Sequence, residues 1–275
     1  MVVAVGGEHQ LVGISHECDW PGSVRHLPRV TTTPIDPAQS SAHIHDAVQI
    51  AVAAGRSVIG IDAAVLRALA PDLIITQALC DVCAVADGEA HRLAAVMTHP
   101  PEVLVLQGTT LGGVWQDLRE VGKAIGRERE AEQAADALQR EVAAIAADAP
   151  GHRPRVVAIE WLAPLFLAGH WVPEMIWAAG GIDVGATAGS HSVVHAWDAV
   201  MALDPDVVLV ILCGFSEDRA RTELASITDP PVRNWLASRQ LVVLDGNAYT
   251  SRPGPRLVEG IRLMRAAFGL GSSLK

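Results

Sequence analysis

The pattern that organises this sequence reads Leu69-Ala70-Pro71-Asp72-Leu73-Ile74-Ile75 and recurs as Leu203-Asp204-Pro205-Asp206-Val207-Val208-Leu209. In each copy we expect a helix to end, proline to prevent its continuation, aspartate to turn the chain and a buried strand to begin. One such Pro-Asp turn before a strand is common in proteins that mix helices and strands. Two copies about half the chain apart favour two similar lobes.

Short apolar runs alternate with helical stretches along the whole chain. Continuous runs of Val, Ile and Leu are typical of parallel strands that helices cover on both faces. The predicted fold class is therefore α/β, with mainly parallel sheets. The predicted strands are residues 11–14, 73–76, 103–106, 155–159, 207–211 and 241–244.

The longest helical pattern lies between the two copies, from Gly126 to Ala149. Its apolar residues follow the i, i+3, i+4, i+7 spacing of one helix face. One stiff helix of this length can join two Rossmann-like lobes, and the alternative is a helix packed inside one domain. The predicted organisation is an N-terminal α/β lobe of residues 1–125, a bridging helix of residues 126–150 and a C-terminal α/β lobe of residues 151–275.

Composition and charge argue against several classes of protein. Half of the 275 residues are apolar and 19% are charged, which excludes wholesale disorder. The net charge of −10 argues against nucleic acid as a partner. No apolar run reaches the ~18 residues of a membrane span, so no membrane insertion is expected. The amino terminus lacks a leader pattern, which predicts a cytoplasmic chain, or a periplasmic one if a leader has been removed.

Polar, aromatic and sulfur-bearing residues concentrate directly after the predicted strands. Ligands of open parallel sheets bind at the carboxyl ends of the strands, so we expect these groups to face one cleft. The candidate ligand-binding residues are His16, Glu17, Trp20, Gln77, Glu160, Trp161, His170, Trp171, Phe215, Asn247, Tyr249 and Arg252.

Three kinds of chemistry fit these segments. The first is a zinc or iron site, although no spacing among its donors is diagnostic. The second is redox chemistry at the lone Cys-x-x-Cys of Cys80 and Cys83, which is a weak signal. The third is a flat, amide-rich ligand held between Trp faces and polar edges. The candidate metal ligands are His16, Cys80, Cys83, Glu160, His170 and Cys213.

The sequence resembles the class III substrate-binding proteins of ABC importers, most closely their cobalamin-binding branch. The resemblance implies two Rossmann-like lobes joined by one long helix, with a corrinoid or similar metal chelate held in the cleft without chemical conversion. Relative to that family, we expect the chain to lack a signal peptide and the first strand. The most specific matching segments are residues 15–21, 76–77, 80–85, 169–174, 213–215 and 247–256.

The first hypothesis is a non-enzymatic binding protein for cobalamin or a related corrinoid. Its macrocycle would pack on Trp20, Trp161 and Trp171. Its amide edges would accept and donate hydrogen bonds at Asn247, Tyr249 and Arg252. His16 or His170 would approach the cobalt from an axial side.

The second hypothesis is a cytoplasmic zinc- or iron-dependent enzyme that uses the same cleft. Glu17 or Glu174 would then act as general base. If the chain is exported, an ABC permease is a further partner, and Glu89 and Glu217 are loose matches to the docking positions of the family.

Overall fold

The computed structural model describes residues 1–78, 87–149 and 151–269. The chain separates into two compact units. The first unit comprises residues 1–39, 43–108 and 115–136, and the second comprises residues 40–42, 109–114 and the chain from Ala137 onwards. No helix in the described ranges is both long enough and apolar enough to cross a membrane.

Helices and strands alternate along both units. The strands are β1 Thr31–Thr32, β2 Gly60–Ile61, β3 Leu73–Gln77, β4 Glu102–Leu106, β5 Arg155–Leu162, β6 Leu165–Leu167, β7 Ile182–Asp183, β8 Val193–Val194, β9 Val207–Val210 and β10 Gln240–Val243. The helices are α1 Ser41–Ala53, α2 Ala63–Leu69, α3 Asp87–Ala95, α4 Leu111–Ala124, α5 Glu128–Ala147, α6 Val172–Ala179, α7 Trp197–Ala202, α8 Glu217–Ala225, α9 Pro230–Ala237, α10 Gly246–Tyr249 and α11 Leu257–Ala267.

The first unit contains two small sheets. Strands β3 and β4 pair in parallel, and β1 and β2 pair antiparallel. The predicted strand at residues 11–14 is wrong, because only Ile14 forms a bridge, to Arg29. Ile14 donates its N–H to the carbonyl of Pro28, and proline has no N–H with which to extend this ladder.

The second unit is built on one larger sheet, in which β10, β9 and β5 run parallel and side by side. Strand β7 also pairs in parallel with β5. Strands β6 and β8 add an antiparallel edge to this sheet. Every residue of β9 is buried, as expected of a strand that is covered on both faces. The predicted α/β class with mainly parallel sheets is confirmed.

The repeated pattern has the same backbone path in both copies. In the first copy α2 ends, Ala70 takes a left-handed φ of 44°, and β3 follows. In the second copy α7 ends, Asp204 takes a φ of 46°, and β9 follows. The expected order of helix, Pro-Asp turn and strand is therefore confirmed.

The long helix predicted between Gly126 and Ala149 is α5, which spans Glu128–Ala147. It packs closely on α4, because a Cβ added at Gly122 would lie 2.1 Å from the Cβ of Ala131. Arg119 of α4 donates hydrogen bonds to Glu132 and Asp136 at 2.8 and 2.7 Å. The boundary between the two compact units falls within α5, after Asp136. The division of the chain at residues 125 and 150 stays a prediction.

Candidate functional site

The carboxyl ends of β5, β9 and β10 lie side by side and bring three predicted segments together. The N–H of Cys213, after β9, donates to the carbonyl of Glu160 on β5 at 2.9 Å. The N–H of Asn247, after β10, donates to the carbonyl of Phe215 at 3.2 Å. This close packing requires Gly246, because a Cβ there would lie 2.3 Å from the carbonyl oxygen of Leu212. We call this region the carboxyl edge of the second unit.

Two aromatic rings are in contact at the carboxyl edge. Trp161 is half-buried, and its ring meets the ring of Phe215 edge-to-face with centroids 5.3 Å apart. Its Nε1 donates to the carbonyl of Ala163 at 3.1 Å, so the polar end of the indole is satisfied locally. Phe215 is 2% exposed, and the guanidinium carbon of Arg219 lies 3.5 Å from its ring centre. The Trp161 ring is therefore the more accessible apolar surface.

The segment after β10 presents polar groups from a short helix and the loop beyond it. Asp245 fixes the start of α10 by accepting the N–H of Ala248 at 2.7 Å. The Arg252 guanidinium donates to Oδ1 of Asn247 at 2.5 Å. The Arg256 guanidinium lies 4.7 Å from the centre of the Tyr249 ring. These side chains are half-buried, so each keeps a solvent-facing part.

Trp171 takes a packing role in this structure. It is 5% exposed, and its Nε1 donates to the carbonyl of Thr250 at 2.8 Å. The predicted contact of Trp171 with a ligand stays a prediction. The hydrogen bond to Thr250 connects Trp171 directly to the segment that carries Asn247 and Tyr249.

His170 is held in an unusual backbone conformation beside a second histidine. Its φ is 52°, and it exchanges backbone hydrogen bonds with Ser190 and Gly189 at 2.6 and 2.8 Å. A Cβ at Gly169 would lie 2.2 Å from the carbonyl oxygen of Ser190, so glycine is required there. The His170 and His191 rings are perpendicular, with centroids 5.3 Å apart.

The predicted metal ligands do not form a metal site in the part of the chain that the structure describes. Across residues 1–78, 87–149 and 151–269, no three His, Cys, Asp or Glu side chains gather in a group that could hold a metal ion. Cys80 and Cys83 lie outside the described residues. Cys213 is a half-buried free thiol next to the backbone of Glu160. The zinc or iron site predicted on His16, Glu160, His170 and Cys213 finds no support.

In the first unit, His16 is fixed by a buried threonine. The hydroxyl oxygen of Thr31 accepts the His16 N–H at 2.9 Å and lies 2.7 Å from its Nδ1. On the other side of the ring, Nε2 lies 3.6 Å from Oε1 of Glu17. Arg29 holds the same turn by donating to the carbonyls of Ser15 and Cys18. The imidazole therefore has a defined orientation, and its side chain is 20% exposed.

Two other predicted residues of the first unit differ in exposure. Trp20 is 50% exposed, so half of a large aromatic side chain is accessible to solvent. Gln77 is half-buried at the carboxyl end of β3, where it pairs with Leu106 of β4.

Two acidic residues of the second unit are engaged in the fold. Glu174 accepts the N–H of Leu111 through Oε2 at 2.6 Å, and its role as a general base stays a prediction. Asp183 accepts the N–H groups of Gly185 and Ala186 at 2.8 and 2.9 Å. Burial raises the pKa of Asp183 to about 6, and these two hydrogen bonds only partly oppose the shift.

The list of candidate binding residues omitted two arginines of the carboxyl edge, although Arg256 belongs to the matching segment 247–256. Arg219 lies in the first turn of α8, and Arg256 directly precedes α11. Neither position follows a strand directly, which was the signal used to select candidates.

Known structures resemble this chain over its whole length. The periplasmic vitamin B12-binding protein BtuF of Vibrio cholerae is 17% identical with a TM-score of 0.69, and the match covers 98% of this chain and 92% of that one. A periplasmic heme-binding protein from Pseudomonas aeruginosa is 21% identical with a TM-score of 0.68, covering 100% and 90%. An ABC-type Fe³⁺-hydroxamate transport system from Saccharomonospora viridis is 19% identical with a TM-score of 0.67, covering 98% and 89%. At these identities the likeness shows the fold.

A comparison with curated protein sequences found no match. A model of the family described as "Periplasmic binding protein" matches residues 1–227. The predicted cytoplasmic location finds no support in a family of that description. The match extends over most of the chain and agrees with the observed fold, and the chain belongs to the periplasmic binding protein family.

Proposed function

We propose that this protein binds a flat metal chelate at the carboxyl edge of its second unit and releases it chemically unchanged. The observation that carries the proposal is the gathering of Trp161, Tyr249 and Arg252 at that edge, all half-buried. Ring faces bind the apolar surface of a flat ligand, while guanidinium and amide groups hydrogen-bond its polar rim. A corrinoid remains the first candidate, because the sequence resembles the cobalamin-binding branch most closely.

The structural neighbours support the ligand class. Three of them are described as binding vitamin B12, binding heme and transporting an Fe³⁺-hydroxamate, and these ligands are all metal chelates. In the first unit, we propose that Trp20 contacts the same kind of ligand, because half of this large apolar side chain is exposed. The oriented imidazole of His16 is a candidate axial ligand, as is that of His170.

We further propose that the protein works in the periplasm with an ABC permease. Family membership supports this placement, and one structural neighbour is described as an ABC transporter substrate-binding protein from Listeria monocytogenes. Glu217, at the start of α8, is one candidate contact for the permease, and its carboxylate accepts a hydrogen bond from Arg221 at 2.7 Å. Glu89 is the other candidate contact for the permease; it is half-buried and accepts the N–H of Ile61 at 3.4 Å.

The proposal is tested by absorbance titration of the purified protein with hydroxocobalamin, a ferric porphyrin and a ferric trihydroxamate. We expect a spectral shift with at least one of them, at a Kd below ~100 μM, which corresponds to about −5.5 kcal/mol. Trp161→Ala is expected to weaken that binding about tenfold or more through lost apolar contact. The matched control is Trp177→Ala, which removes an exposed indole of α6 that contacts Arg153.

Two results would overturn the proposal. One is the lack of binding to all three chelates. The other is stoichiometric zinc or iron in the purified protein without any bound chelate, since that result favours the alternative of a metal-dependent enzyme. Elemental analysis before titration separates these two results.

A further inference from the structure

Thr31 determines which nitrogen of the His16 ring carries the proton. Its hydroxyl oxygen accepts the backbone N–H of His16 at 2.9 Å and lies 2.7 Å from Nδ1 of the same residue. Thr31 is 7% exposed, and among the described residues its hydroxyl hydrogen has no acceptor other than Nδ1. Buried hydroxyl groups are hydrogen-bonded, so this hydrogen points at the ring. Nδ1 is therefore the acceptor, and in the neutral imidazole the proton is on Nε2.

The surroundings of Nε2 favour the same form of the ring. Oε1 of Glu17 lies 3.6 Å from Nε2, which is beyond hydrogen-bond distance but places a negative charge on that side of the ring. An N–H is attracted by this charge, whereas a nitrogen lone pair would be repelled by it. The turn that carries His16 is itself fixed, because the carbonyl of Ser15 accepts the N–H of Cys18 at 3.1 Å and a guanidinium N–H of Arg29 at 2.7 Å.

Nε2 is the nitrogen of this ring that a ligand can reach. The His16 side chain is 20% exposed. Across residues 1–78, 87–149 and 151–269, Nε2 of His16 is not one of the buried side-chain atoms that lack a hydrogen-bond partner, although its nearest acceptor is the Glu17 oxygen at 3.6 Å. The atom is therefore accessible to solvent. The same segment carries Trp20, the exposed side chain that we propose to contact the ligand.

A ring nitrogen that carries a proton cannot bind a metal. Coordination uses the lone pair of a neutral imidazole, and the other ring nitrogen then donates its N–H to an acceptor. In His16 the arrangement is the reverse, because Nδ1 accepts from Thr31 and Nε2 is protonated. Ligation through Nε2 would require a proton on Nδ1 and would leave the buried hydroxyl hydrogen of Thr31 without an acceptor, which is unfavourable.

We infer that His16 donates a hydrogen bond from Nε2 to an oxygen on the rim of the ligand, and that Thr31 is the positioning residue that keeps the imidazole in this form. The inference rests on the proposed function and deepens it, because it selects chelates whose rim carries an acceptor oxygen. It also gives His16 a role different from axial ligation, for which His170 remains the candidate.

The first experiment measures the protonation of the ring without any ligand. Long-range proton–nitrogen correlation NMR spectra of the isotope-labelled protein, at about pH 8 where an ordinary imidazole is neutral, distinguish protonated from unprotonated ring nitrogens. His16→Gln removes one of the eleven histidine patterns and so assigns it. We expect an unprotonated Nδ1 and a protonated Nε2. Thr31→Ser should keep this pattern and Thr31→Val should change it, while the control Thr32→Val, at an exposed position, should not.

The second experiment measures what His16 contributes to binding. Hydroxocobalamin and ferric protoporphyrin IX are titrated into the native protein, His16→Gln and His16→Ala. Glutamine keeps an N–H donor close to the position of Nε2 and is a poor metal ligand, whereas alanine is neither. For the probe that binds, we expect near-native affinity with Gln, a loss of roughly three- to tenfold with Ala, and the same absorption spectrum of the bound chelate in all three proteins. His26→Ala is the matched control, because it removes an exposed imidazole of the same unit that bonds only the carbonyl of Ser23.

The outcomes separate this inference from the proposed function. A protonated Nε2, together with a loss in His16→Ala that Gln restores, supports the inference. A protonated Nδ1 overturns it, and so does a changed metal absorption band in His16→Ala, which would indicate axial ligation. Native affinity in His16→Ala, or an equal loss in His26→Ala, also overturns it and leaves chelate binding in place. If neither probe binds, the inference fails, and the ferric trihydroxamate decides whether the proposed function fails with it.

Discussion

The indole Nε1 of Trp171 donates a hydrogen bond to the carbonyl oxygen of Thr250, 2.8 Å away, and both residues are buried. Thr250 also donates from its hydroxyl to the carbonyl of Gly246 at 3.2 Å. The start of α6 is thereby connected to the end of α10, which carries Asn247 and Tyr249. Trp171, which was predicted to contact the ligand, therefore also contacts the backbone that positions two other candidate ligand contacts.

Trp171→Phe is expected to lower the free energy of unfolding by about 1–3 kcal/mol, because it leaves a buried carbonyl without its donor. Chemical denaturation measures this loss. Trp177→Phe is the control, since the exposed indole of Trp177 should tolerate the same change within about 0.5 kcal/mol. Equal stability of both variants would show that the Trp171 hydrogen bond does not stabilise the fold.

The raised pKa of Asp183 leads us to expect that the free energy of unfolding depends on pH. Its pKa is about 6, raised from 3.8 by burial, and no ionised side chain contributes to the shift. Its Oδ2 is buried and has no hydrogen-bond partner among the described residues. Because the folded state holds the proton more tightly than the unfolded state, the stability this group supplies is fully present below pH 3.8 and is lost as pH rises through about 6.

Asp183→Asn is expected to remove this dependence, because the amide keeps an acceptor oxygen for Gly185 and Ala186 and cannot ionise. The variant should gain stability relative to the native protein as pH rises, by about 1 kcal/mol between pH 5 and pH 8. Denaturation curves at several pH values measure the difference. A constant difference across that range would contradict the assignment.

Gly169→Ala is expected to be strongly destabilising. The new Cβ would lie 2.2 Å from the carbonyl oxygen of Ser190, which is backbone and cannot move away without breaking its hydrogen bond to His170. We expect a loss of at least about 3 kcal/mol, or failure to fold. Gly254→Ala is the matched control, because a Cβ at Gly254 meets no atom within 4 Å. Near-native thermal stability of Gly169→Ala would disprove the close approach.

Thr31→Val tests how His16 is fixed. The substitution keeps the shape of a buried β-branched side chain and removes the oxygen that contacts the N–H and Nδ1 of His16. We expect a loss of about 1–3 kcal/mol. Thr32→Val, at the exposed neighbouring position of β1, should be neutral or nearly so. If the two variants unfold alike, the Thr31 hydroxyl does not hold the imidazole in place.

Local pattern was sufficient to predict much of the fold. Runs such as Val207–Val210 are apolar at every position, and this pattern is typical of strands buried on both faces. Helix α5 was predictable because its apolar positions follow one face and Pro150 stops the pattern. The strand predicted at residues 11–14 failed because its partner segment contains Pro28, a feature that lies outside the run itself.

The candidate site was predictable only in outline. Residues after strands could be expected at one sheet edge, and Trp161, Asn247 and Tyr249 lie there. The sequence could not distinguish a buried tryptophan such as Trp171 from an exposed one such as Trp20. Both lie in short polar segments after predicted strands, so their sequence surroundings are alike. Arg219 was missed because candidates were sought directly after predicted strands, and Arg219 lies inside the first turn of α8.

The antiparallel edge of the sheet in the second unit affects the tendency of this protein to aggregate at high concentration. In the sheet order the last strand is β8, which is only two residues long, although Val193 and Val194 are 53% and 56% exposed. Long apolar edges recruit strands from other molecules and seed aggregates. An edge this short offers a neighbouring chain very few backbone hydrogen bonds, so these two valines can face solvent without making the sheet a template for intermolecular growth.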